Sequence, residues 1–340
     1  LTIQQKIPQM TMLKTELLAP AGSLEVIYPA VRMGANAVYL GADIFSARGN
    51  AGNFNREQLL EAVKYCHARN VAVHLACNTL IHDDEMESAL NLIKYACEIG
   101  IDAIIIQDIG LVSLIRKAAP NMTLHASTQM SVHTAEAAKM LYDMGFERVV
   151  LARELSKTEI KEIADKLKSM NCPIELEVFV HGALCMSVSG QCYMSAMLGG
   201  RSGNRGLCAQ PCRLPFNAGG NGYDLSLKDL SLISNLRELH EIGVTSFKIE
   251  GRMKRPEYVA AAVLACRQSL DKGFVDGEIL ERLRAVFSRS GFTDGYYTEK
   301  LGPDMFGTRS KDDVTSATNK LLIQILSLIH ISEPTRPEPI

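Results

Sequence analysis

The sequence predicts a closed (β/α)8 barrel. Eight short runs of apolar and β-branched residues alternate with stretches of helical periodicity, and strands that alternate with helices form parallel sheets. Most of these runs end in small or polar residues, as strands do where they lead into a loop. An open, doubly wound sheet is the alternative, since a count of strands does not establish closure. The predicted strands are 16–19, 37–41, 71–77, 103–107, 123–127, 148–152, 175–181 and 246–250.

Three of the predicted helices begin with a capping residue. Ser23 precedes a helix over 24–33, and Asn55 precedes a helix over 56–69. Ser156 is followed three residues later by Glu159, which is the pattern of a capping box. These signals place helices directly after the first, second and sixth strands.

The composition excludes several classes of protein. Of 340 residues, 47% are hydrophobic, so the chain can bury a large core and is neither disordered nor collagen-like. The 36 Lys and Arg against 38 Asp and Glu give a net charge of −2, which argues against non-specific coating of nucleic acid.

Neither a signal peptide nor a membrane span is predicted. Residues 1–14 lack a long apolar stretch, and no run approaches the roughly 18–20 apolar residues of a transmembrane helix. The sequence therefore predicts a cytoplasmic protein with no membrane partner. In that compartment, its nine cysteines are expected to be thiols or metal ligands rather than disulfides.

The chain divides into a barrel and a C-terminal part. The barrel is predicted over 14–255 and includes a Cys-rich, Gly-rich insertion over 182–222 after strand seven. In barrels of this class, the loops after the strands carry the chemistry, so the insertion is expected on the functional face. A helical extension is predicted over 256–310. The segment 320–340 resembles translated sequencing-adapter read-through and is interpreted as a non-native tail.

The predicted barrel interior is too polar for a purely structural core. Alternation along strand seven points Glu175, Glu177, Phe179 and His181 toward the axis. Strand eight similarly offers Lys248, Glu250 and Arg252, and pairs of Lys248 with Glu177 and of Glu250 with Arg252 are expected. Satisfied polar networks or an exposed rim are the alternative interpretation. Further polar side chains come from other strands: His74, Asn78, Gln107, His125, Ser127, Gln129 and Arg153.

Four cysteines of the insertion form a candidate metal site. Cys185, Cys192, Cys208 and Cys212 follow the spacing C-x6-C-x15-C-x3-C. Four thiolates can hold an iron–sulfur cluster. Zinc is the runner-up, although only Cys208 and Cys212 resemble one of its tight knuckles. Clustering by chance is the third interpretation.

The residues around these cysteines are predominantly cationic. Between Gly199 and Arg255, nine Lys and Arg residues outnumber five Asp and Glu, a local net charge of +4. A cationic rim beside a polar mouth suits a substrate that bears phosphate. A solvated face of mixed charge is the alternative interpretation.

Five segments resemble the collagenase-like peptidases, the unclassified peptidase family 32. Two lie in the region of the cysteines: EVFVHGALC over 177–185 and SGQCYMS over 189–195. The others are ELLAPAG over 16–22, AVYLGA over 37–42 and KIEGRMKRPEY over 248–258. The resemblance covers residues 14–310 and is strongest to the long members of the family.

The resemblance implies two different activities. The family name implies proteolysis, whereas its better-understood members imply hydroxylation of ribosomal RNA, transfer RNA or a quinone precursor, with cysteine-held iron–sulfur clusters. By motif match, Cys185, Cys192, Cys208 and Cys212 are the expected cluster ligands. For proteolysis, the chain has no HExxH or GxSxG motif. A nucleophilic pair of Cys185 and His181 is conceivable but has no support from their spacing.

Taken together, these features predict an RNA hydroxylase that depends on a 4Fe-4S cluster and acts on ribosomal RNA. A peptidase acting on protein substrates, or a non-catalytic module that carries the cluster, are the alternatives. Glu250 and His181 are the expected proton-transfer residues. The expected substrate-binding residues are Arg252, Lys248, Arg153, Asn78, Gln107 and Gln129.

Overall fold

A computed structural model of the chain describes residues 15–49, 52–220 and 222–308. The tail over 320–340 and the last two residues of the extension predicted over 256–310 lie outside the described residues. The strands are β1 (Glu16–Pro20), β2 (Ala37–Gly41), β3 (Ala72–Cys77), β4 (Ala103–Ile106), β5 (Thr123–Ala126), β6 (Arg148–Val150), β7 (Glu175–Ala183), β8 (Asp229–Ser231), β9 (Val244–Ile249) and β10 (Phe292–Thr293).

Eight of these strands close into a parallel barrel. From β1 to β7, each strand pairs in parallel with the next. β9 then pairs in parallel with β7 on one side and β1 on the other, so that Phe247 lies opposite both Val178 and Leu17. Each of the eight strands is thus paired on both sides, which confirms the (β/α)8 barrel over the open doubly wound sheet.

Helices surround the barrel and bury its outer face. They are α1 (Leu24–Arg32), α2 (Arg56–His67), α3 (Met86–Ile99), α4 (Ile109–Ala118), α5 (Ala135–Asp143), α6 (Lys157–Ser169), α7 (Met194–Gly199), α8 (Leu236–Ile242), α9 (Pro256–Lys272) and α10 (Gly277–Val286). The predicted capping box forms at α6, where Glu159 N donates to Ser156 Oγ and Ser156 N donates to Glu159 Oε2 at 2.7 Å. None of the helices in the described ranges is long and apolar enough to cross a membrane.

The helices that surround the barrel continue past residue 255, where the sequence analysis placed the end of the barrel. α9 packs against α1 and β1, and α10 packs against α9. α9 therefore occupies the eighth position of the ring, which ends at residue 272 rather than before the helical extension. Its Ala-rich sequence is buried along most of its length because it lies between α1, β1 and α10.

An ion-pair network fills the barrel near the amino ends of its strands. Arg148 of β6 donates to Glu175 at 2.7 Å and to Glu177 at 3.2 Å, and it also pairs with Glu16. Ser246 Oγ lies within hydrogen-bond distance of both carboxylates, 2.9 Å from Glu177 Oε2 and 3.0 Å from Glu16 Oε1, and can donate its one proton to either. Buried charges are costly unless they are paired and hydrogen-bonded. Here they meet both conditions.

The insertion after β7 spans the opposite, carboxyl-terminal end of the barrel. It departs from β7, carries α7, and returns through β8, which pairs antiparallel with the extension of β7 at His181–Ala183. On the far side of the mouth it reaches the loop after β2, where Gly206 adopts a φ of +84° and a Cβ would lie 2.5 Å from Gly49 N. Only glycine accommodates both the conformation and this close approach.

Candidate functional site

The mouth of the barrel holds a cavity of about 430 Å³ beneath the insertion. Its apolar floor includes Tyr39 and Phe179, and its walls come from the strand ends and the insertion. Six predicted substrate or proton-transfer residues line it: Asn78, Gln129, Arg153, Lys248, Glu250 and Arg252. So do all four predicted metal ligands: Cys185, Cys192, Cys208 and Cys212.

Two predicted site residues do not line this cavity. The His181 side chain is buried away from it and packs on Tyr258 and Phe292, with ring centroids 5.8 and 5.1 Å away. A register shift between Phe179 and His181 changes the side to which the chain alternates. Gln107, which follows β4, is also buried without lining the cavity.

His181 is therefore misplaced for the proton transfer that the sequence predicts. Burial, with a smaller effect of Lys254, lowers the pKa of His181 to about 3. Neither ring nitrogen has a hydrogen-bond partner. What His181 does supply to the mouth is its backbone, since its carbonyl accepts from Glu250 N at 2.8 Å.

The predicted pair of Lys248 with Glu177 is present. Lys248 Nζ donates to Glu177 Oε1 at 2.7 Å, below the floor of the cavity. The same ammonium lies 4.6 Å from the ring centroid of Tyr39 and 5.5 Å from that of Phe179. Lys248 thus joins the ion-pair network of the barrel to the aromatic floor of the cavity.

The predicted pair of Glu250 with Arg252 is wrong, because Glu250 pairs instead with Arg48. Arg48 Nη2 donates to Glu250 Oε1 at 3.2 Å, whereas Arg252 Nη1 donates to Ser46 Oγ at 2.8 Å. Burial raises the pKa of Glu250, but Arg48, Arg153 and Arg252 together lower it, so the carboxylate is ionised. Burial, reinforced by Arg48, lowers the pKa of Arg252 to about 10.

The cavity is strongly cationic. Among its described lining residues, seven are Lys or Arg and Glu250 alone is acidic. A low-dielectric cleft lined by one sign of charge concentrates ligands of the opposite sign. An anionic ligand is therefore favoured. The seven cations are Arg48, Arg153, Arg213, Lys248, Arg252, Lys254 and Arg289.

The four cysteines all line the cavity. Backbone N–H groups point at two of the sulfurs: Met194 N lies 3.4 Å from Cys192 Sγ, and Gln210 N lies 3.3 Å from Cys208 Sγ. Burial raises the pKa of the Cys212 thiol, Arg213 lowers it, and the other three thiols raise it by smaller amounts.

These residues fit an iron–sulfur cluster in donor chemistry. Thiolates are the usual ligands of such clusters, and hydrogen bonds to sulfur tune their potential. Across the described residues, no three His, Cys, Asp or Glu side chains are grouped closely enough to hold a single metal ion.

Contacts with the barrel position the insertion. Glu154, which follows β6, accepts from Ser189 N at 2.7 Å and from Ser189 Oγ at 3.2 Å. Arg205 donates to Glu85 at 2.9 Å and to the carbonyl of Leu80 at 2.6 Å on the far side of the mouth. The segment between Cys185 and Cys192 and the segment before Cys208 are thereby each fixed to the barrel.

Among the residues of this site that sequence reasoning missed are Arg48 and Glu154. Both follow a barrel strand at its carboxyl end, where functional side chains concentrate. Arg48 stands among the small residues Ser46, Ala47 and Gly49, and an isolated charge in such a loop was the available signal. Glu154 adjoins Arg153, which was identified.

Some of the known proteins similar to this chain are named as proteases, and others are named for the hydroxylation of RNA. It is 36% identical over 307 residues to an uncharacterized protease of Methanocaldococcus jannaschii, covering 85% of this chain and 74% of that protein. It is 39% identical over 316 residues to the 23S rRNA 5-hydroxycytidine C2501 synthase of Escherichia coli, covering 88% of this chain and 46% of the synthase.

A third relative is the tRNA hydroxylation protein P1 of Bacillus subtilis, 36% identical over 279 residues, which are 78% of this chain and 65% of that protein. The chain thus spans about half the length of the synthase and about two thirds of the hydroxylation protein. The model of peptidase family U32 matches residues 22–306, which include every barrel strand except the first and the whole insertion. This chain belongs to peptidase family U32.

Proposed function

We propose that this protein hydroxylates a base of RNA, with Cys185, Cys192, Cys208 and Cys212 holding a 4Fe-4S cluster beside the substrate. One observation carries the proposal. The four thiols and a strongly cationic set of side chains line the same cavity. A phosphate-bearing substrate bound there would lie next to the group that the thiols hold.

In this proposal, separate side chains of the cavity bind the substrate and transfer a proton. Arg252 and Arg48 offer guanidinium groups to phosphate, the ligand that their planar fork suits best. Glu250 is ionised, so it can accept a proton from the substrate. The cluster, when bound, supplies redox chemistry that side chains alone do not. Relatives named for hydroxylation of ribosomal and transfer RNA support this assignment, and ribosomal RNA is the substrate we favour.

The peptidase alternative draws on the name of the archaeal relative. It would need an activated nucleophile, and the pair conceivable from sequence was Cys185 with His181. Both ring nitrogens of His181 are without a partner and its side chain lies outside the cavity. A non-catalytic role for the cluster remains the other alternative, and the following experiment separates it from hydroxylation.

The function is tested by mass spectrometry of nucleosides from ribosomal and transfer RNA of cells with and without the gene. We expect one hydroxylated nucleoside to disappear and to return with the intact gene. If the nucleosides of the two strains match, the protein is not an RNA hydroxylase.

The cluster is tested on protein purified without oxygen. We expect broad visible absorption, iron and acid-labile sulfide, and we expect Cys185→Ala or Cys192→Ala to remove all three because one of four ligands is lost. Cys97→Ala is the matched control, since Cys97 lies exposed on α3 and outside the cavity. Zinc in place of iron would contradict the cluster and leave a four-cysteine site.

A further inference from the structure

The cavity has two chemically different sides. In the strand order of the barrel, β2 and β9 flank β1, and β5 lies opposite β1. Arg48 follows β2 and Arg252 follows β9, so their guanidinium groups are on the same side. Thr128 and Gln129 follow β5 and are on the opposite side.

The side formed after β5 and β6 carries polar atoms without partners. Gln129 is 8% exposed, lines the cavity, and its Oε1 has no hydrogen-bond partner. The Oγ1 of Thr128 and the Nε of Arg153 are also buried and unpartnered. A buried polar atom left without a partner costs free energy, and a ligand that satisfies these atoms would recover that cost.

Between the two sides lies an apolar floor. Tyr39, Ala76, Ile105 and Phe179 line it. The hydroxyl of Tyr39 donates to the carbonyl of Ile249 at 2.9 Å, so it is committed to the barrel. The complementary ligand is thus anionic at one end, apolar in the middle and able to hydrogen-bond at the other end.

We propose that this cavity takes one nucleotide turned out of its RNA strand, with its phosphate at Arg48 and Arg252 and the edge of its base at Gln129. The inference rests on the proposed function in taking RNA as the source of the nucleotide. Residues from seven of the eight barrel strands or the loops after them, together with the insertion, line the cavity, and its volume of about 430 Å³ leaves no room for a duplex. Enzymes that act on a base meet this constraint by extruding the nucleotide or by acting on a single strand.

Gln129 is the specificity-determining residue in this arrangement. Its unpartnered Oε1 is an acceptor, so it selects a base edge that offers N–H. With the amide oriented as it is here, an exocyclic amino group, as on cytosine, satisfies Oε1, whereas the carbonyl at the same position of uracil is met only if the amide turns to present Nε2. A site built to hydrogen-bond a polar group discriminates strongly against an analogue that lacks it.

Titration calorimetry of the full chain tests this inference without requiring activity. We use cytidine 5′-monophosphate, uridine 5′-monophosphate and inorganic phosphate as probes. The cytidine nucleotide is expected to bind about tenfold more tightly than the uridine nucleotide, and inorganic phosphate more weakly than either. If the cytidine nucleotide binds no more tightly than inorganic phosphate, the inference is wrong.

Gln129→Leu identifies the residue responsible. It is expected to weaken binding of the cytidine nucleotide about tenfold, to the level of the uridine nucleotide, while binding of inorganic phosphate is unchanged. Gln107→Leu is the matched control, because Gln107 is equally buried, also has an unpartnered Oε1, and does not line the cavity. Gln129→Met serves if the leucine variant does not fold.

The outcomes separate this inference from the proposed function. Cytidine nucleotide binding that depends on Gln129, in a protein whose deletion leaves RNA nucleosides unchanged, supports the nucleotide site and refutes hydroxylation. Loss of a hydroxylated nucleoside on deletion, with Gln129→Leu binding the cytidine nucleotide like wild type, supports hydroxylation and refutes the role of Gln129.

Discussion

Two buried arginines, one toward each end of the barrel, have very different surroundings. Arg148 is surrounded by the carboxylates of Glu16, Glu175 and Glu177. Arg252 is equally buried, yet its one side-chain hydrogen bond within the described residues is to Ser46. A buried guanidinium enclosed by carboxylates is part of the structure, whereas one with donors to spare can bind an anionic ligand.

The largest difference between the two arginines is expected in how much each contributes to the stability of the fold. Arg148→Met removes the cation that Glu16 and Glu175 share and leaves the buried Glu177 with Lys248 alone, and it should lower the free energy of unfolding by about 3–5 kcal/mol. Arg252→Met leaves Glu250 paired with Arg48 and should cost much less. Urea denaturation of both variants measures this difference. Equal losses would show that Arg252 is as structural as Arg148.

The next prediction concerns the pH dependence of stability, which involves His181, the buried histidine whose side chain lies outside the cavity. The pKa of His181 in the folded protein is about 3, below the roughly 6.5 expected when unfolded. Between these values only the unfolded state binds the proton, so stability falls as the pH drops below about 6.5. At pH 5 the loss is about 2 kcal/mol.

His181→Phe keeps a ring between Tyr258 and Phe292 and should remove this part of the pH dependence. We expect its loss of stability from pH 7 to pH 5 to be smaller than that of wild type. An unchanged pH dependence in His181→Phe would mean that His181 is not buried and neutral.

Arg252→Lys tests the ligand-binding end directly. It keeps the charge but loses the planar fork, so under the proposed RNA hydroxylation the rate of modification should fall about tenfold while stability stays near wild type. The measurement is the rate at which the hydroxylated nucleoside returns after the variant is induced in cells lacking the gene. A normal rate, in a variant that keeps its cluster, would exclude Arg252 as a substrate clamp.

The smallest effect is expected at the contact between insertion and barrel. Arg205 and Glu85 are partly exposed, and exposed ion pairs contribute at most about 1 kcal/mol. Arg205→Ala should therefore leave urea denaturation almost unchanged. In metal-free protein it should speed alkylation of Cys208, because the segment before that cysteine loses its contact with the barrel. Unchanged alkylation would show that Gly206 alone positions the segment.

The barrel was predictable because its signal repeats. The barrel strands are apolar runs, most of which end in small or polar residues, and β9 was recognisable by its alternation of Lys248 with Phe247 and Ile249. β8 and β10 were missed because they have three and two residues and lie outside the barrel, where β8 pairs with the extension of β7 and β10 pairs with β8. Neither lies in a continuous apolar run like 149–152, which made the equally short β6 detectable.

The sequence predicted which strands supply the residues of the site, but it did not predict all of their interaction partners. Alternation correctly joined Lys248 to Glu177, since both lie in regular strand. It misdirected His181, because the register shift before that residue depends on pairing with β8 and β9. Arg48 was missed as the partner of Glu250 because loop conformation, unlike strand alternation, does not follow from a residue pattern.

The contact of Gly206 with Gly49 joins segments more than 150 residues apart in the chain. The mouth is thus assembled from the two halves of the sequence, and β9, which closes the barrel between β1 and β7, is the last of its strands to be synthesised. Contacts so distant in sequence form late, since the long intervening loop must first be closed. The stretch that leads to Cys208 therefore reaches its place against the barrel only after the loop between residues 49 and 206 has closed.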